Sequence, residues 1–373
     1  MAGLRMAAPL LALKQGYSAA AVGVLLALFA LTQVFLALPA GRYADRHGLR
    51  RPVRFSVLAA TTGAGLAVAF PVFPVLCVSA LLTGGATGAA SIALQRHVGR
   101  AATGATQLKQ VFSWLAIGPA LSNFLGPFAA GLMIDHAGAT AGDGAGYRAA
   151  FALMAVLPLA TWFWVRHTQE LPPVAAAPPG HRGRALDLLR EPMLRRLLLV
   201  NWFLSSCWDV HTFVLPILGH ERGLSASAIG TILGAFAMAA ALIRVLVPLL
   251  AAQLREWAVL AGAMLATALL FGVYPLLHSA LAMGACSVLL GLSLGSVQPM
   301  IMSTLHQITP EHRHGEALGL RLMSINASSV VMPLLFGSAG ALVGVSGVFW
   351  AVGVLVGAGS RAAWRLRPGS SRP

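Results

Sequence analysis

The chain has 373 residues, of which 57% are apolar and 10% charged. So few polar side chains cannot cover a water-facing surface of ordinary polarity, which excludes most soluble folds. The formal net charge of +15 raises nucleic acid as a partner, but the basic residues stand in short clusters between apolar runs, where they orient membrane spans, and nucleic acid is excluded.

Apolar runs of about 20 residues, each long enough to cross a hydrocarbon core about 30 Å thick, recur along the chain. In the first part they predict spans at 1–15, 18–40, 53–73, 74–95, 110–134 and 147–165. A polar connection follows, with a Pro/Ala-rich stretch at 171–180 and a basic segment from His181 onward, and it reads as a linker. Six more spans are predicted at 197–219, 224–250, 256–276, 279–302, 317–338 and 341–360. The 40 glycines and 21 prolines suit such helices, because glycine permits close packing and proline is tolerated in a membrane. Cys77, Cys207 and Cys286 lie inside spans without paired spacing, so neither a disulfide framework nor a metal or redox site is expected. The N-terminus lacks signal-peptide order and is expected to be mature sequence.

Lysine and arginine orient the spans. The loops after spans two, four, six, eight and ten, together with the C-terminus, hold 20 of the 26 basic residues. The opposite loops hold Lys14, Arg148 and Arg222, and Arg5, Arg244 and Arg321 fall within or at the ends of spans. This asymmetry places both termini in the cytoplasm.

The two parts are related. Gly16 to Ala30 and Gly223 to Ala237 share eight identities in fifteen positions at an offset of 207. The same offset pairs Pro9 with Pro216, Gly84 with Gly291 and Gly88 with Gly295, and an offset of 206 pairs Pro127 with Pro333 and Gly131 with Gly337. Copies separated by an even number of spans share topology and are parallel repeats. The expectation is therefore an all-α membrane protein of twelve transmembrane helices in two parallel-repeat six-helix bundles. The halves are 1–165 and 197–373, joined by a cytoplasmic linker at 166–196. The offset also predicts a first helix truncated by about ten residues, since 15 residues at 1.5 Å rise cover only about 22 Å.

Between spans two and three stands GRYADRHGLRR, 41–51. Gly41, Asp45, Arg46, Gly48, Arg50 and Arg51 resemble the signature loop of the major facilitator superfamily, and the resemblance covers the whole chain. It implies a cytoplasmic gate in which this loop latches the halves when the transporter faces outward, with Asp45 and Arg46 in a charge network. Independently of the family, Gly41 permits close helix approach and Asp45 can satisfy orphan amides at a neighbouring helix N-terminus. Arg50, Arg51 and Arg54 also serve topology as a basic juxtamembrane cluster. The matching loop of the second half, 248–257, keeps Pro248 and Arg255 but has Leu254 where the aspartate would fall, so its latch is expected to be weak. Ala80 stands where family efflux proteins often carry an arginine in helix four. In helix five, Gly126, Pro127 and Gly131 loosely resemble the Gly-Pro element of drug antiporters, and they serve packing equally well.

Asp209 is the one acid deep in a predicted span. A charge at mid-bilayer costs about 2.5 to 3.5 kcal/mol on insertion scales, so the residue is expected to face a cavity or a partner. Trp202, Ser205, Asp209, Thr212 and Pro216 share a helical stripe. Asp209 is thus a candidate for the solute or proton pathway, with structural pairing as the alternative. His211, about 200° round the helix from Asp209, is expected to pack against a neighbouring helix through a hydrogen bond. Arg244 is expected to pair with Asp209 or recognise an anion, and Arg321 to snorkel. The resemblance implies that helices one, four, seven and ten line a central cavity, which makes Gln95 and Gln298 candidate solute contacts. Gly84, Gly88, Gly291 and Gly295 share those helices as packing residues. Arg5, Asn123 and Asn326 are further pathway candidates. His306, His312 and His314 with Glu311 and Glu316 have loose spacing for a metal, and no metal or cofactor is expected.

No nucleotide-binding loop and no nucleophile-base constellation occurs, which argues against an ATP-driven pump and an enzyme. The expected function is secondary active transport of a small solute by alternating access, coupled to protons, with a lean to efflux of a hydrophobic or cationic compound. Proton-linked uptake of a small metabolite and a non-transporting membrane receptor are the alternatives. The expected setting is the lipid bilayer of a bacterial inner membrane, as a monomer.

Overall fold

The computed structural model describes residues 1–137, 144–172, 185–224 and 226–367. The expected Pro/Ala-rich part of the linker lies largely outside the described residues. In chain order the α-helices are α1 (Ala2–Lys14), α2 (Ala19–His47), α3 (Arg50–Ala69), α4 (Phe73–Ala101), α5 (Gly104–His136) and α6 (Gly144–Val165). They continue with α7 (Pro192–Glu221), α8 (Ala226–Leu250), α9 (Glu256–Val273), α10 (Ala280–Gly295), α11 (Val297–Ile308) and α12 (His314–Trp364). Short 3₁₀ turns occur at Ala185–Arg190, Tyr274–Leu276 and Glu311–Arg313, and no strand occurs among the described residues.

Ten helical segments among the described residues are long and apolar enough to cross a membrane. The 13-residue α1 is too short to count among them. The expected span ten corresponds to α10 and α11 together, which form one apolar segment, Ala280–Ile308. Spans eleven and twelve form one run of 51 residues that leaves helical geometry at Gly344 (φ 73°), a left-handed conformation that glycine adopts without a Cβ penalty. Large apolar side chains face outward along these helices, among them Phe35 (70% exposed), Leu249 (78%) and Leu281 (86%). Such a surface needs hydrocarbon rather than water around it.

The helices form two compact units. The first comprises Met1–Ala101, Gly118–Arg182 and Glu311–Asn326, and the second comprises Ala102–Ile117, Gly183–Pro310 and Ala327–Pro373. Each unit therefore takes the opening turns of a helix that belongs, by sequence, to the other half: α12 in the first unit and α5 in the second.

The repeat visible in the sequence is also a repeat of contacts. In the first unit a Cβ on Gly84 would overlap the carbonyl of Phe29, and in the second a Cβ on Gly291 would overlap the carbonyl of Phe236. Both members of each pair are offset by 207. Gly88 likewise lies against Gln33, and Gly295 against Ala240, at the same offset. At Gly84, α4 meets α2, and at Gly291 and Gly295, α10 meets α8, with backbone close to backbone, the approach that small residues allow in membrane helices. The turns that launch α2 and α8 repeat too, with Gly16 (φ 85°) and Gly223 (φ 70°) in left-handed geometry. Gly126 packs on Gly3 and Ala2, and Gly131 lies 3.7 Å, measured from an added Cβ, from Met6. Pro127 sits inside α5. Pro333 and Gly337 fall in a stretch of α12 whose side chains are outside the described set.

Candidate functional site

In the first unit, α2 ends in the signature loop. Asp45 sits in the last turn of α2, and its carboxylate accepts from the backbone N–H of Gly315 (2.8 Å) and of Glu316 (3.1 Å). These amides open α12 and have no partner within their own helix, so a carboxylate there meets both hydrogen-bond donors and the positive end of the helix dipole. Arg96 of α4 donates to the same carboxylate at 2.6 Å and to the Asp45 carbonyl at 3.2 Å. The Asp45 and Arg96 side chains are 8% and 3% exposed. At that depth neither charge is sustainable alone, and the pair with its two amides is satisfied only as a set.

Glycine makes the approach possible. A Cβ on Gly41 would overlap the Gly315 carbonyl, and a Cβ on Gly315 would overlap the Gly41 carbonyl. Around this contact Glu316 accepts from Arg42 (2.8 Å) and Arg313 (2.7 Å), while Arg100 donates to Glu311 at 2.7 Å. The Arg100 guanidinium holds the Glu311 carboxyl below its ordinary range.

The second part of the loop serves a different contact. Gly48 takes φ 73°, and the chain then turns into α3, whose opening amides at Leu49 and Arg50 donate to the Glu170 carboxylate at 3.1 and 2.5 Å. A Cβ on Gly48 would strike that carboxylate. The Arg50 guanidinium donates to the Thr168 carbonyl at 2.6 Å, fastening the start of the linker. Arg46 and Arg51 are exposed. The implied role of Arg46 in the charge network is therefore taken by Arg96. The reason is helical geometry: the residue after Asp45 is turned 100° away from the carboxylate.

The pathway candidates divide between the units. In the second, the stripe of Trp202, Ser205, Asp209, Thr212 and Pro216 is the less buried side of α7, while Leu204, Cys207, Val210 and His211 are buried. Asp209 accepts from the Ser329 hydroxyl at 3.3 Å. Arg244 does not pair with it. Its guanidinium reaches the carbonyls of Gly295 (3.4 Å) and Ala116 (3.3 Å) and lies 5.7 Å from the Trp208 ring centre. Carbonyl oxygens on the neighbouring helices thus supply the acceptors that an acid was expected to supply. Gln298 is half-buried.

His211 is packed as its apolar neighbours predict. Its Nε2 lies 2.9 Å from the Ser287 hydroxyl, which lies 2.7 Å from the Tyr274 hydroxyl. In the first unit, Gln95 donates to Ser91 at 3.1 Å and Asn326 to the Leu322 carbonyl at 2.9 Å, bonds within their own helices. Arg5 and Asn123 are exposed. Arg321 is 7% exposed and so does not snorkel to solvent.

Helices of this length with an apolar exterior define a polytopic membrane protein. The Major Facilitator Superfamily model matches residues 1–282 and 197–373, and the chain belongs to that superfamily. Among solved structures it is similar to the human organic anion transporter MFSD10 (TETRAN), with a TM-score of 0.76 at 19% identity over 96% of this chain and 89% of that one. It is similar also to FucP in the outward conformation, with a TM-score of 0.75 at 13% identity over 97% of both chains. A third is the proton:xylose symporter XylE bound to 6-bromo-6-deoxy-D-glucose, with a TM-score of 0.72 at 13% identity over 98% and 92%. At these identities the likeness is one of fold. No curated protein matches the chain in sequence.

Proposed function

We propose that the chain is a proton-coupled secondary transporter that exports a hydrophobic or cationic solute by alternating access. The proposed arrangement is twelve spans in two halves, 1–165 and 197–373, joined by the linker at 166–196, with both termini cytoplasmic in a bacterial inner membrane. The observation that carries this reading is the Asp45 carboxylate on the Gly315 and Glu316 amides. It ties the end of a first-half helix to the start of a second-half helix, and it must break for the cytoplasmic side to open. A bond that is strong only while two amides and Arg96 are in place can be made and lost as a unit, as a two-state gate requires.

Asp209 is the proposed proton or cation carrier, with Gln298, Gln95, Asn326, Asn123 and Arg5 as further solute contacts. Arg244 of α8 is engaged by carbonyls, whereas the Asp209 carboxylate lies on the less buried side of α7, which favours a cationic solute over an anionic one. Flux of a lipophilic cation such as ethidium into and out of proteoliposomes, with and without a pH gradient, tests the proposal. Gradient-dependent flux that Asp209→Asn abolishes is the expected result. Flux indifferent to the gradient and to Asp209→Asn would overturn the coupling and the assignment together.

A further inference from the structure

We propose that the end of the second unit where α9 begins and α12 finishes is a binding site for an anionic phospholipid. Its phosphate headgroup would lie on Arg361, Arg365 and Arg367, and its glycerol and upper acyl chain on Trp257 and Trp364. All five residues belong to that unit. The inference needs only the membrane fold and is independent of transport, coupling and direction.

The limits of the apolar spans set the depth. One membrane-crossing segment begins at Glu256 and another finishes at Trp364, so Trp257 and Trp364 lie where hydrocarbon gives way to headgroups, the depth at which tryptophan is enriched. The two indole rings meet edge to face with centroids 5.1 Å apart, which puts both helix ends at one level. Trp257 is half-buried and Trp364 is 56% exposed. An indole so exposed presents an apolar face and an N–H to its surroundings, and a lipid at the interface can meet both.

Arginines crowd the polar side of the pair. The Arg367 guanidinium lies 5.6 Å from the Trp257 ring centre, a cation–π contact that holds it at the span end. Arg361 and Arg365 are four residues apart, a spacing that puts helical side chains on one face. The Arg365 amide donates to the Arg361 carbonyl at 3.1 Å, so helical bonding continues past Trp364. Arg361, Arg365 and Arg367 are exposed, as is Arg255, two residues before Trp257. The acid beside them in the chain, Glu256, accepts from Ser303 and Gln307 at 3.0 Å each and lies 3.7 Å from Lys109. Its charge is taken up by α11 and α5, and the cluster keeps a net positive charge.

The combination of rings and cations selects the ligand. Guanidinium groups bind phosphate through paired N–H donors, and each basic residue at a membrane surface attracts anionic lipid. A free phosphate ion would use the arginines without the rings. A zwitterionic lipid would cover the rings but bring an ammonium group to the arginines. A phospholipid with an anionic headgroup uses both. The fold itself does not require an aromatic residue here. At the offset of 207, Trp257 corresponds to Arg50, which donates to the Thr168 carbonyl in the first unit. The rings therefore answer a demand other than that of the repeated scaffold.

Tryptophan fluorescence of the full chain in detergent, titrated with brominated phosphatidylglycerol or brominated phosphatidylcholine, reads the site, because bromine quenches an indole only at short range. The signal assigned to the site is the quenching lost in Trp364→Phe, a change at an exposed ring. That signal should saturate at a lower mole fraction of phosphatidylglycerol than of phosphatidylcholine. The preference should fall roughly fivefold for each arginine replaced in Arg361→Gln and in Arg361→Gln/Arg365→Gln, the effect of one basic residue at a membrane surface. Arg54→Gln, at an exposed position of α3 in the first unit, should leave it unchanged. Equal quenching by the two lipids would overturn the inference, as would a preference indifferent to the arginine replacements or lowered as much by Arg54→Gln. Loss of the preference in millimolar phosphate at constant ionic strength would overturn it too, by marking the arginines as a site for a free anion.

Discussion

The Ser113 hydroxyl donates, at 2.5 Å, to the one carbonyl in α8, that of Arg244, whose helical donor Pro248 removes. Ser113 is fully buried, so no water substitutes when the hydroxyl is lost. Ser113→Ala is expected to destabilise the chain by about 0.6 to 1.7 kcal/mol, the range for side-chain hydrogen bonds between membrane helices. Pro248→Ala restores a backbone donor to Arg244, and in that background the same serine substitution should cost less. Thermal unfolding in detergent across the four-member cycle measures the difference, and equal costs in both backgrounds would sink the account.

Arg96 and Asp45 should behave as a set. Asp45→Ala leaves a guanidinium that is 3% exposed without its carboxylate, and breaking a buried pair by removing one partner costs about 3 to 5 kcal/mol. The double variant Asp45→Ala/Arg96→Leu removes the stranded charge and should recover part of that loss, though not the cap on Gly315 and Glu316. Stability of the single and double variants in detergent checks this. A double variant weaker than the sum of its single variants would refute it.

The contrast between Asp45 and Arg96 also shows what a sequence can disclose. Apolar spans and the repeat depend on local composition and periodicity, and the offset alone pairs Gly84 with Gly291, whose contacts with Phe29 and Phe236 then match. Asp45 stands in a recognisable loop. Its partners do not, because Arg96 is 51 residues away and the Gly315 amide 270, and a backbone donor carries no side-chain signature. Arg46 is the natural partner by proximity alone, and proximity along a helix turns it to another face. Lys109 lacks even a motif, and the acceptor it reaches is a backbone carbonyl 145 residues away.

The ion pair between the exposed Glu311 carboxylate and the largely buried Arg100 guanidinium gives a pH dependence of known sign. Arg100, at 2.7 Å, holds the Glu311 carboxyl below its ordinary 4.5. A carboxyl whose folded pKa is depressed contributes stability above its unfolded pKa, and that contribution is lost as pH falls through the folded value. Glu311 is 55% exposed, so solvent screening limits the effect to less than about 1 kcal/mol. Thermal stability measured from about pH 6 down to about pH 3, a window that brackets the ordinary and the depressed carboxyl range, should fall less steeply in Glu311→Gln than in the parent. Identical slopes would exclude the contribution.

Glycine substitutions at repeat-related positions separate close packing from mere flexibility. Gly84 and Gly291 sit where a Cβ would meet the carbonyls of Phe29 and Phe236, whereas Gly23 and Gly230, also offset by 207, have nothing within 4 Å of an added Cβ. At the first pair alanine forces two backbones apart, at a cost of about 1 to 3 kcal/mol, as for overpacking generally. At the second pair alanine meets no neighbour and improves helix propensity by up to about 1 kcal/mol. The two members of each pair should therefore agree in sign, and the two pairs should differ. Thermal stability of the four alanine variants decides the matter. A Gly84→Ala chain as stable as Gly23→Ala would mean that α4 can withdraw from α2 without penalty, and that the glycine at that crossing does not hold the helices together.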